Sequence, residues 1–345
     1  MIKALVADDS GLMRLIVTDI LNSDPEINVM DTATNGLDAA EKVAALKPDV
    51  VVLDMNMGEY DGKYAIRKIM AETPTPILIL SALGNTDLDS VIDALRLGAI
   101  DYINKPEKNN SKVREIGEDI IKKVKSVTRQ ANKTALNKAK NFSANTYSHT
   151  FSKYLNYDII VIGSSTGGPT AVENVITSFP ENLPVPVVIA QHMPSNFVPS
   201  FVKRLNSLTP LDTVMARKDE ALQPGTIYIA PGSRNIKLSR TLAGRVLIDY
   251  DNFRYKEFNH PSVTGLMLSA AKVYGKRAIG VILTGMGKDG AEGLKAIKEA
   301  GGYTVAQNKE TSVVYGMPRE AIEAGYALQV VSIHEMGGFL VSCLD

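Results

Sequence analysis

A serine set between glycines is the feature of this sequence that most directly suggests chemistry. Residues 163–167 read Gly-Ser-Ser-Thr-Gly, which fits the pattern G-x-S-x-G with Ser165 at its centre. The apolar run Asp158–Ile162 predicts a buried parallel strand, and Gly168 and Pro169 suit the first turn of a helix. A serine in this position faces free N–H groups that can stabilise a developing negative charge. The stretch therefore predicts a nucleophile.

Two simpler interpretations of this stretch are a tight turn of small residues and a phosphate-binding loop. A Walker A loop is excluded, because no lysine follows the glycines. A serine nucleophile also needs a base to take its proton. The sequence offers His149, His192, His260 and His334. His192 follows the apolar run 187–191 and would share a sheet edge with Ser165 if the two strands are parallel neighbours, so it is the first candidate and His260 is the second.

A glycine-rich loop supplies the third group that this chemistry requires. Residues 284–290 read Thr-Gly-Met-Gly-Lys-Asp-Gly and come at the end of another apolar run. Asp289 in this loop could hold the imidazole in the correct tautomer and stabilise its protonated form. The backbone N–H groups around Thr166 and Met286 are candidate oxyanion donors, each lowering the barrier by roughly 3–4 kcal/mol when well placed. Three strand ends thus offer a serine, a histidine and an aspartate to one crevice.

The same loop also fits a nicotinamide dinucleotide site. Gly285, Gly287 and Gly290 spell G-x-G-x-x-G, and Glu310 lies 20 residues beyond Gly290. Two observations disfavour this alternative. Asp289 would place a carboxylate beside the pyrophosphate, and only 55 residues follow Gly290, too few for the remaining strands of such a domain. An NAD-binding oxidoreductase is therefore the weaker interpretation.

A second group of polar residues lies in the first third of the chain. Asp8, Asp9 and Asp54 stand where predicted strands end, and Ser81 and Lys105 stand at the ends of two more. Carboxylates that converge on one crevice repel one another unless a cation lies among them, and oxygen-only ligands favour Mg²⁺. Lys105 would then attract a tetrahedral anion, to which Ser81 would donate a hydrogen bond.

These residues need a scaffold that brings strand ends together, and residues 1–106 alternate strand and helix signals five times. The predicted strands are Ile2–Ala7, Asn28–Ala33, Val50–Asp54, Pro76–Ser81 and Ile100–Ile103. This alternation predicts a flavodoxin-like, five-stranded parallel sheet with its polar residues at the C-terminal strand ends. Ser111–Thr128 carries one apolar face and is predicted to form the last helix of this domain.

Residues 157–345 alternate in the same way and predict a doubly wound α/β domain with a mainly parallel sheet. Further strands are predicted over Val185–Ala190, Thr226–Ala230, Ala278–Thr284, Tyr303–Ala306 and Ala327–Val331. Helices are predicted at about Pro169–Ser178, Gly287–Ala300 and Pro318–Ala324, with antiparallel strands inserted between Thr226 and Asp249. Arg129–Ser152 loses every apolar period. We therefore expect domains at 1–128 and 157–345, joined by a flexible basic linker at 129–156.

Composition is ordinary for a globular protein, with 45% hydrophobic and 22% charged residues among 345. One cysteine, no eighteen-residue apolar run and an N-terminus unlike a signal peptide indicate a cytoplasmic protein without a membrane segment. Residues 1–106 carry 17 acidic and 9 basic side chains, whereas residues 107–156 carry 4 and 11. An acidic first domain and a nearly neutral second one disfavour nucleic acid as the main partner.

The first domain resembles a response-regulator receiver across essentially all of residues 1–106. The resemblance is carried by Asp-Asp at 8–9, Asp-Met-Asn-Met-Gly-Glu-Tyr-Asp-Gly at 54–62, Ser-Ala at 81–82 and Asn-Lys-Pro at 104–106. It implies that Asp54 accepts a phosphoryl group from a chemotaxis histidine kinase. It also implies two further groups of residues: the Mg²⁺ site, formed by Asp9, Asp54 and the Asn56 carbonyl with help from Asp8, and the switch residues Ser81, Tyr102 and Lys105. Gly58 departs from the family, which usually has proline there.

The second domain, and with it nearly the whole chain, resembles the chemotaxis protein-glutamate methylesterases of the CheB family. The matching motifs are Ile-Gly-Ser-Ser-Thr-Gly-Gly-Pro-Thr, Ala-Gln-His-Met-Pro, Tyr-Ile-Ala-Pro-Gly, Leu-Thr-Gly-Met-Gly-Lys-Asp-Gly and the stretch 307–321. The resemblance implies hydrolysis of γ-glutamyl methyl esters on the cytoplasmic helices of methyl-accepting chemotaxis receptors, with release of methanol. Deamidation of receptor glutamines is the second implied activity, and the esterase reaction needs no cofactor.

By this resemblance Ser165 is the nucleophile, His192 the general base and acid, and Asp289 the orienting carboxylate. Thr264 departs from the family, which usually has aspartate after Pro-Ser-Val. A non-enzymatic alternative is a receiver fused to a module that only docks on receptors. The presence of all three catalytic residue types argues against it.

Overall fold

A computed structural model describes residues 1–82, 88–105, 116–137, 157–256 and 260–344 of the chain. The chain divides into two compact units, residues 1–140 and 141–345. Within the described ranges, no helix combines the length and apolarity needed to cross a membrane.

The first unit is the predicted five-stranded parallel sheet. Its strands are β1 (Ile2–Ala7), β2 (Ile27–Ala33), β3 (Val50–Leu53), β4 (Ile77–Ala82) and β5 (Asp101–Lys105). Its helices are α1 (Gly11–Asn22), α2 (Gly36–Leu46), α3 (Gly62–Glu72), α4 (Leu88–Leu97) and α5 (Gly117–Asn137). The strand order β2-β1-β3-β4-β5 is doubly wound, so the C-terminal ends of β1 and β3 are neighbours at one sheet edge. The sequence prediction of this fold is confirmed.

Helix α5 extends the first unit further than the sequence suggested. It runs to Asn137, past the predicted end at Thr128, so the first residues of the predicted linker are helical. Alanine, leucine, lysine and glutamine are good helix formers and can prolong a helix without an apolar face. The predicted start at Ser111 and the remainder of the predicted linker lie outside the described residues.

The second unit is built on seven parallel strands with helices packed against the sheet. The strands are β6 (Ile159–Ser164), β7 (Val187–Gln191), β8 (Asp212–Met215), β9 (Thr226–Ile229), β12 (Ala278–Ile282), β13 (Tyr303–Gln307) and β14 (Gln329–Val331), in the order β14-β13-β12-β6-β7-β9-β8. The helices are α6 (Gly168–Ile176), α7 (Val198–Asn206), α8 (Val263–Tyr274), α9 (Ala291–Glu299), α10 (Met317–Glu323) and α11 (Ile333–Ser342). The centre of the sheet, β12-β6-β7, consists of fully buried, β-branched-rich strands.

The prediction of inserted antiparallel strands is half right. Strands β10 (Asn235–Arg240) and β11 (Val246–Asp251) form an antiparallel hairpin, whereas β9 belongs to the main sheet and is parallel to both of its neighbours. The hairpin buries Ile236, Leu238 and Ile248 in the same hydrophobic core as α8. Local sequence does not determine which neighbours a strand pairs with, so only the tertiary pairing assigns β9 and the hairpin to separate sheets.

Two adjacent glycines in α11 provide a test of how tightly this unit is packed. A Cβ at Gly337 would meet the carbonyl oxygen of Val175 and lie 2.6 Å from the Ser178 Cβ, whereas a Cβ at Gly338 would meet no atom within 4 Å. We expect Gly337→Ala to destabilise the protein by about 1–3 kcal/mol through overpacking. Gly338→Ala should stabilise it by up to about 1 kcal/mol through helix propensity. Urea unfolding followed by circular dichroism measures both, and equal midpoints would contradict the predicted close contact.

Candidate active site and candidate metal centre

The three central strands of the second unit bring the sequence-predicted triad to one edge. Ser165 directly follows β6, and its backbone N–H donates to the Thr284 carbonyl, just after β12, at 3.0 Å. His192 directly follows β7, and its N–H donates to the Ser164 carbonyl at 2.9 Å. The neighbouring strand ends are therefore joined by main-chain hydrogen bonds, and Asp289 enters from the loop after β12.

Several hydrogen bonds hold the Asp289 side chain at this edge. Its carboxylate is fully buried, and its Oδ2 lies 2.8 Å from the His192 Nε2. It also accepts the backbone N–H groups of Val263 at 2.8 Å and Thr264 at 2.9 Å. These donors open helix α8, whose dipole favours a negative charge there. Burial raises the pKa of Asp289, but the hydrogen bonds from His192 and Thr264 outweigh it and hold that pKa below the usual value.

The orientation of the imidazole determines which nitrogen is left for chemistry. Because His192 faces the ionised Asp289 through Nε2, the proton of the neutral ring belongs on Nε2. The Nδ1 lone pair is then available to accept a proton. Both Ser165 and His192 are half-buried, so the pair remains accessible to solvent and to a substrate.

The turn at the serine differs in detail from the sequence prediction. Strand β6 continues through Gly163 to Ser164, two residues beyond the predicted end, and only Gly167 has a left-handed backbone, with a φ of 73°. Gly163 instead makes room for Val263, since a Cβ there would collide with the valine side chain. The first glycine of the G-x-S-x-G pattern therefore serves close packing against α8, and the second one serves the turn.

The candidate oxyanion loop lies directly against the serine. A Cβ on Gly285 would lie 2.8 Å from the Ser165 Cβ, so the backbone that leads into Met286 passes beside the Ser165 side chain. The buried Thr284 hydroxyl donates to the Thr166 carbonyl at 2.9 Å and accepts the Val314 N–H at 2.9 Å. This hydroxyl ties together the two segments that carry the candidate oxyanion donors.

The two other histidines in the described part of the chain do not complete a comparable arrangement. His260 Nδ1 lies 3.1 Å from the Asn235 Oδ1, and His334 is exposed on α11. His149 lies outside the described residues. The nucleotide alternative is also disfavoured, because the Gly290 N–H donates to the Thr264 hydroxyl at 2.8 Å and the loop is built around the buried carboxylate of Asp289.

Sequence reasoning assigned no role to several polar residues that hold this edge together. The residues are Ser164, Gln191, Ser262, Thr264, Thr284 and Gln307, all of them buried. Thr264 marked a departure from the family without a known consequence. The structure shows that its hydroxyl accepts from Gly290 while its N–H donates to Asp289. A polar residue at the end of an apolar strand was the available signal for Gln191 and Gln307.

The first unit brings together Asp8, Asp9 and Asp54, whose ligand oxygens all lie within 4.8 Å of one another. Asp8 follows β1 and Asp54 follows β3, and the buried Lys105 at the end of β5 lies 2.6 Å from Asp8 and 3.1 Å from Asp54. Burial, assisted by the charge of Asp8 and opposed by Lys105, raises the pKa of Asp54 to about 6. Three converging carboxylates with Asp9 exposed fit a small, hard divalent cation.

The remaining predicted residues of this unit surround the cluster. Ser81 is buried in β4 and Tyr102 in β5, where burial and then Asp101 raise the tyrosine pKa well above its usual value. Asn56 is exposed in the loop between β3 and α3. Gly58 in that loop has a φ of 74°, which proline cannot adopt. The departure from the family at Gly58 therefore goes with a backbone conformation that excludes proline.

Comparison with known proteins agrees with both units. The CheB methylesterase family model matches residues 160–340, and the response regulator receiver domain model matches residues 4–116. The chain is 41% identical over 355 residues to a protein-glutamate methylesterase/protein-glutamine glutaminase of Carboxydothermus hydrogenoformans, covering 99% of this chain and 98% of the relative. A relative of the same description from Archaeoglobus fulgidus is 37% identical over 344 residues, with 99% and 98% covered.

Among solved structures, the second unit is similar to the crystal structure of the Thermotoga maritima CheB methylesterase catalytic domain. The two share 40% sequence identity with a TM-score of 0.53, over 55% of this chain and 99% of that domain. Family model, full-length relatives and solved structure agree with one another and with the strand-edge geometry. The chain therefore belongs to the CheB methylesterase family and carries a response-regulator receiver domain ahead of its catalytic domain.

Proposed function

We propose that the chain is a phosphorylation-regulated serine hydrolase that demethylates glutamyl methyl esters on methyl-accepting chemotaxis receptors and releases methanol. The observation that carries this proposal is the His192–Asp289 pair at 2.8 Å, set beside the strand end that presents Ser165. The names of the full-length relatives supply the substrate class. A domain that only docks on receptors would have no use for a buried carboxylate whose hydrogen bonds orient one histidine.

In the proposed reaction, the Ser165 hydroxyl attacks the ester carbonyl carbon while His192 takes the hydroxyl proton on Nδ1. Asp289 stabilises the resulting imidazolium, and the backbone N–H groups of Thr166 and Met286 stabilise the oxyanion. The tetrahedral intermediate expels methoxide, which receives the proton from His192 and leaves as methanol. Water, deprotonated by His192, then cleaves the acyl-enzyme and restores the free serine and a glutamate.

Deamidation of a receptor glutamine follows the same course with ammonia as the leaving group. The acyl-enzyme formed from a glutamine is identical to the one formed from the methyl ester, so the second half of the reaction does not change. Both activities appear in the description of the relatives, and we extend both to this chain.

The first unit is proposed to regulate this activity through Asp54, with a chemotaxis histidine kinase as phosphoryl donor. Asp9, Asp54 and the Asn56 carbonyl would hold Mg²⁺, with Asp8 assisting. Held by these residues, the cation would neutralise charge on the phosphoryl group. Lys105, already 3.1 Å from Asp54, would pair with the new phosphoryl oxygens, and Ser81 and Tyr102 would respond to them.

The nucleophile assignment is tested by Ser165→Ala. We expect a loss of at least about 10³-fold in receptor demethylation, because nucleophile and base act as one unit. The measurement is methanol release from methylated receptor membranes. Ser207→Ala, at an exposed serine after α7, is the matched control and should keep the full rate. Wild-type activity in the Ser165 variant would show that another residue is the nucleophile.

The phosphoryl acceptor is tested by Asp54→Asn. This change should abolish incorporation of label from radioactive acetyl phosphate in the presence of Mg²⁺, while basal esterase activity persists. Asp93→Asn removes a surface carboxylate that pairs with Lys63, and it should be labelled like the wild type. Base-labile label on the Asp54 variant at the wild-type level would place the acceptor elsewhere.

Regulation is tested by comparing residues 141–345 with the full chain. We expect this second compact unit alone to demethylate receptors faster than the unphosphorylated full chain. A tethered receiver has a high effective concentration near the catalytic domain, so even a weak interaction can inhibit it. Phosphorylation should activate only partly, since a complete shift needs roughly 5.5 kcal/mol of differential stabilisation. The measurement compares initial rates for the fragment, the full chain, and the full chain with acetyl phosphate, and it shows whether the unphosphorylated receiver inhibits or activates. A fragment slower than the unphosphorylated chain would make the receiver an activator.

A further inference from the structure

We propose that Gln191 is a positioning residue that holds the nucleophile and the base of this site at a fixed spacing. The inference rests on the roles proposed for Ser165 and His192, and it concerns a side chain that neither reacts nor faces the substrate. Gln191 is the last residue of β7 and is 2% exposed.

The carboxamide of Gln191 contacts both catalytic residues at once. Its Nε2 donates to the Ser165 carbonyl at 2.9 Å and to the His192 carbonyl at 2.9 Å. Its Oε1 accepts the Ser164 hydroxyl at 2.5 Å. Both amide hydrogens and the amide oxygen are thus engaged, and this pattern fixes the orientation of the group. One planar side chain therefore bridges the carbonyl groups of the proposed nucleophile and the proposed base, and the Ser165 carbonyl also accepts the Gly168 N–H at 2.8 Å.

The surrounding sequence is arranged to admit this amide. Ser164 and Gln191 are partners in the parallel β6–β7 register, and the Ser164 side chain is fully buried. A Cβ on Gly168 would overlap the Gln191 Oε1, so the glycine after the turn leaves the space that the amide fills. Three positions along the strand ends and the turn are thus matched to a single buried amide.

The positioning role of Gln191 follows from the hydrogen bonds that join the segments of Ser165 and His192. The main-chain bond between His192 and Ser164 aligns the strands, but it does not fix the peptide planes beyond them. Without Gln191, the Ser165 carbonyl would keep the Gly168 N–H at 2.8 Å, but the Ser165 and His192 carbonyls would lose the donor that they share, and the two segments could shift relative to one another. A displacement of about 1 Å between reacting groups lowers a rate by about 10²-fold.

The test uses a neutral alkyl fluorophosphonate as the probe on the full-length chain, so that no receptor is involved. The serine oxygen bonds to phosphorus, fluoride leaves, and His192 takes the hydroxyl proton. Gln191→Glu is nearly isosteric but replaces the donor with a carboxylate oxygen that faces two carbonyls. We expect its maximal labelling rate to fall by about 10²-fold while the probe concentration at half-maximal rate stays constant. Ser164→Ala keeps the donor and loses only the bond that orients the amide, so its rate should fall by about fivefold.

Thr304→Val is the control for a loss of stability alone. It removes buried hydrogen bonds to Tyr326 and Leu328 near the start of β13, away from the strand ends that carry the site. It should lower the unfolding midpoint and leave labelling unchanged. Wild-type labelling in the Gln191 variant, or an equal loss in the Thr304 variant, would overturn the positioning role. Failure of the wild type to label at Ser165 would instead overturn the proposed nucleophile itself, and this inference with it.

Discussion

The parallel alignment of β12, β6 and β7 is the constraint on which the candidate active site depends. Parallel neighbours end at the same edge, so residues more than a hundred positions apart, such as Ser165 and Asp289, begin their loops side by side. The alignment also demands small side chains, because the backbone after β12 passes within contact distance of the serine. Gly285 meets this demand beside Ser165, and Gly163 meets it beneath α8. A single added methyl group would overlap the side chains of Met317 and Ser165 at Gly285 and that of Val263 at Gly163.

The same edge buries polar groups, and four of them have hydrogen-bond partners: Asp289, Thr284, Gln307 and Gln191. Asp289 accepts hydrogen bonds from the N-terminus of α8 and from His192. Thr284 and Gln307 join the oxyanion loop to the following segment, since the Gln307 Oε1 accepts the Thr284 N–H at 2.7 Å. On the other side, the Gln191 amide donates to the carbonyls of Ser165 and His192. Unpaired, each neutral group would cost about 1–3 kcal/mol and the Asp289 carboxylate more, so the network resists displacement.

In the receiver, charged groups at the strand ends are likewise paired with groups of opposite charge. The strand ends of its sheet bring carboxylates together, and the ammonium of Lys105 lies between Asp8 and Asp54. This pairing compensates part of the repulsion while Asp9 stays exposed. In the catalytic domain a helix N-terminus and an imidazole compensate the buried carboxylate of Asp289. In the receiver Lys105 compensates Asp8 and Asp54, and the carboxylate cluster is of a kind suited to a divalent cation.

The sequence by itself determined the fold class, the order of the strands along the chain and the identity of the candidate reactive residues. Apolar runs report burial, and the polar residues that interrupt them at strand ends report chemistry, so Ser165, His192, Asp289 and Asp54 could all be named from local patterns. The receiver and esterase motifs then specified the family.

Only the tertiary structure decided which side chains support the reactive ones. The role of Gly163 depends on Val263, that of Thr264 on Gly290 and Asp289, and none of these partners is close in sequence. Local patterns also failed at the end of α5, where helix propensity continues without an apolar face, and at β9, whose neighbours are set by the sheet. The physical reason is common to these cases. A residue's type and its local pattern limit what it can do, but hydrogen bonds and steric exclusion act between groups that only folding brings together.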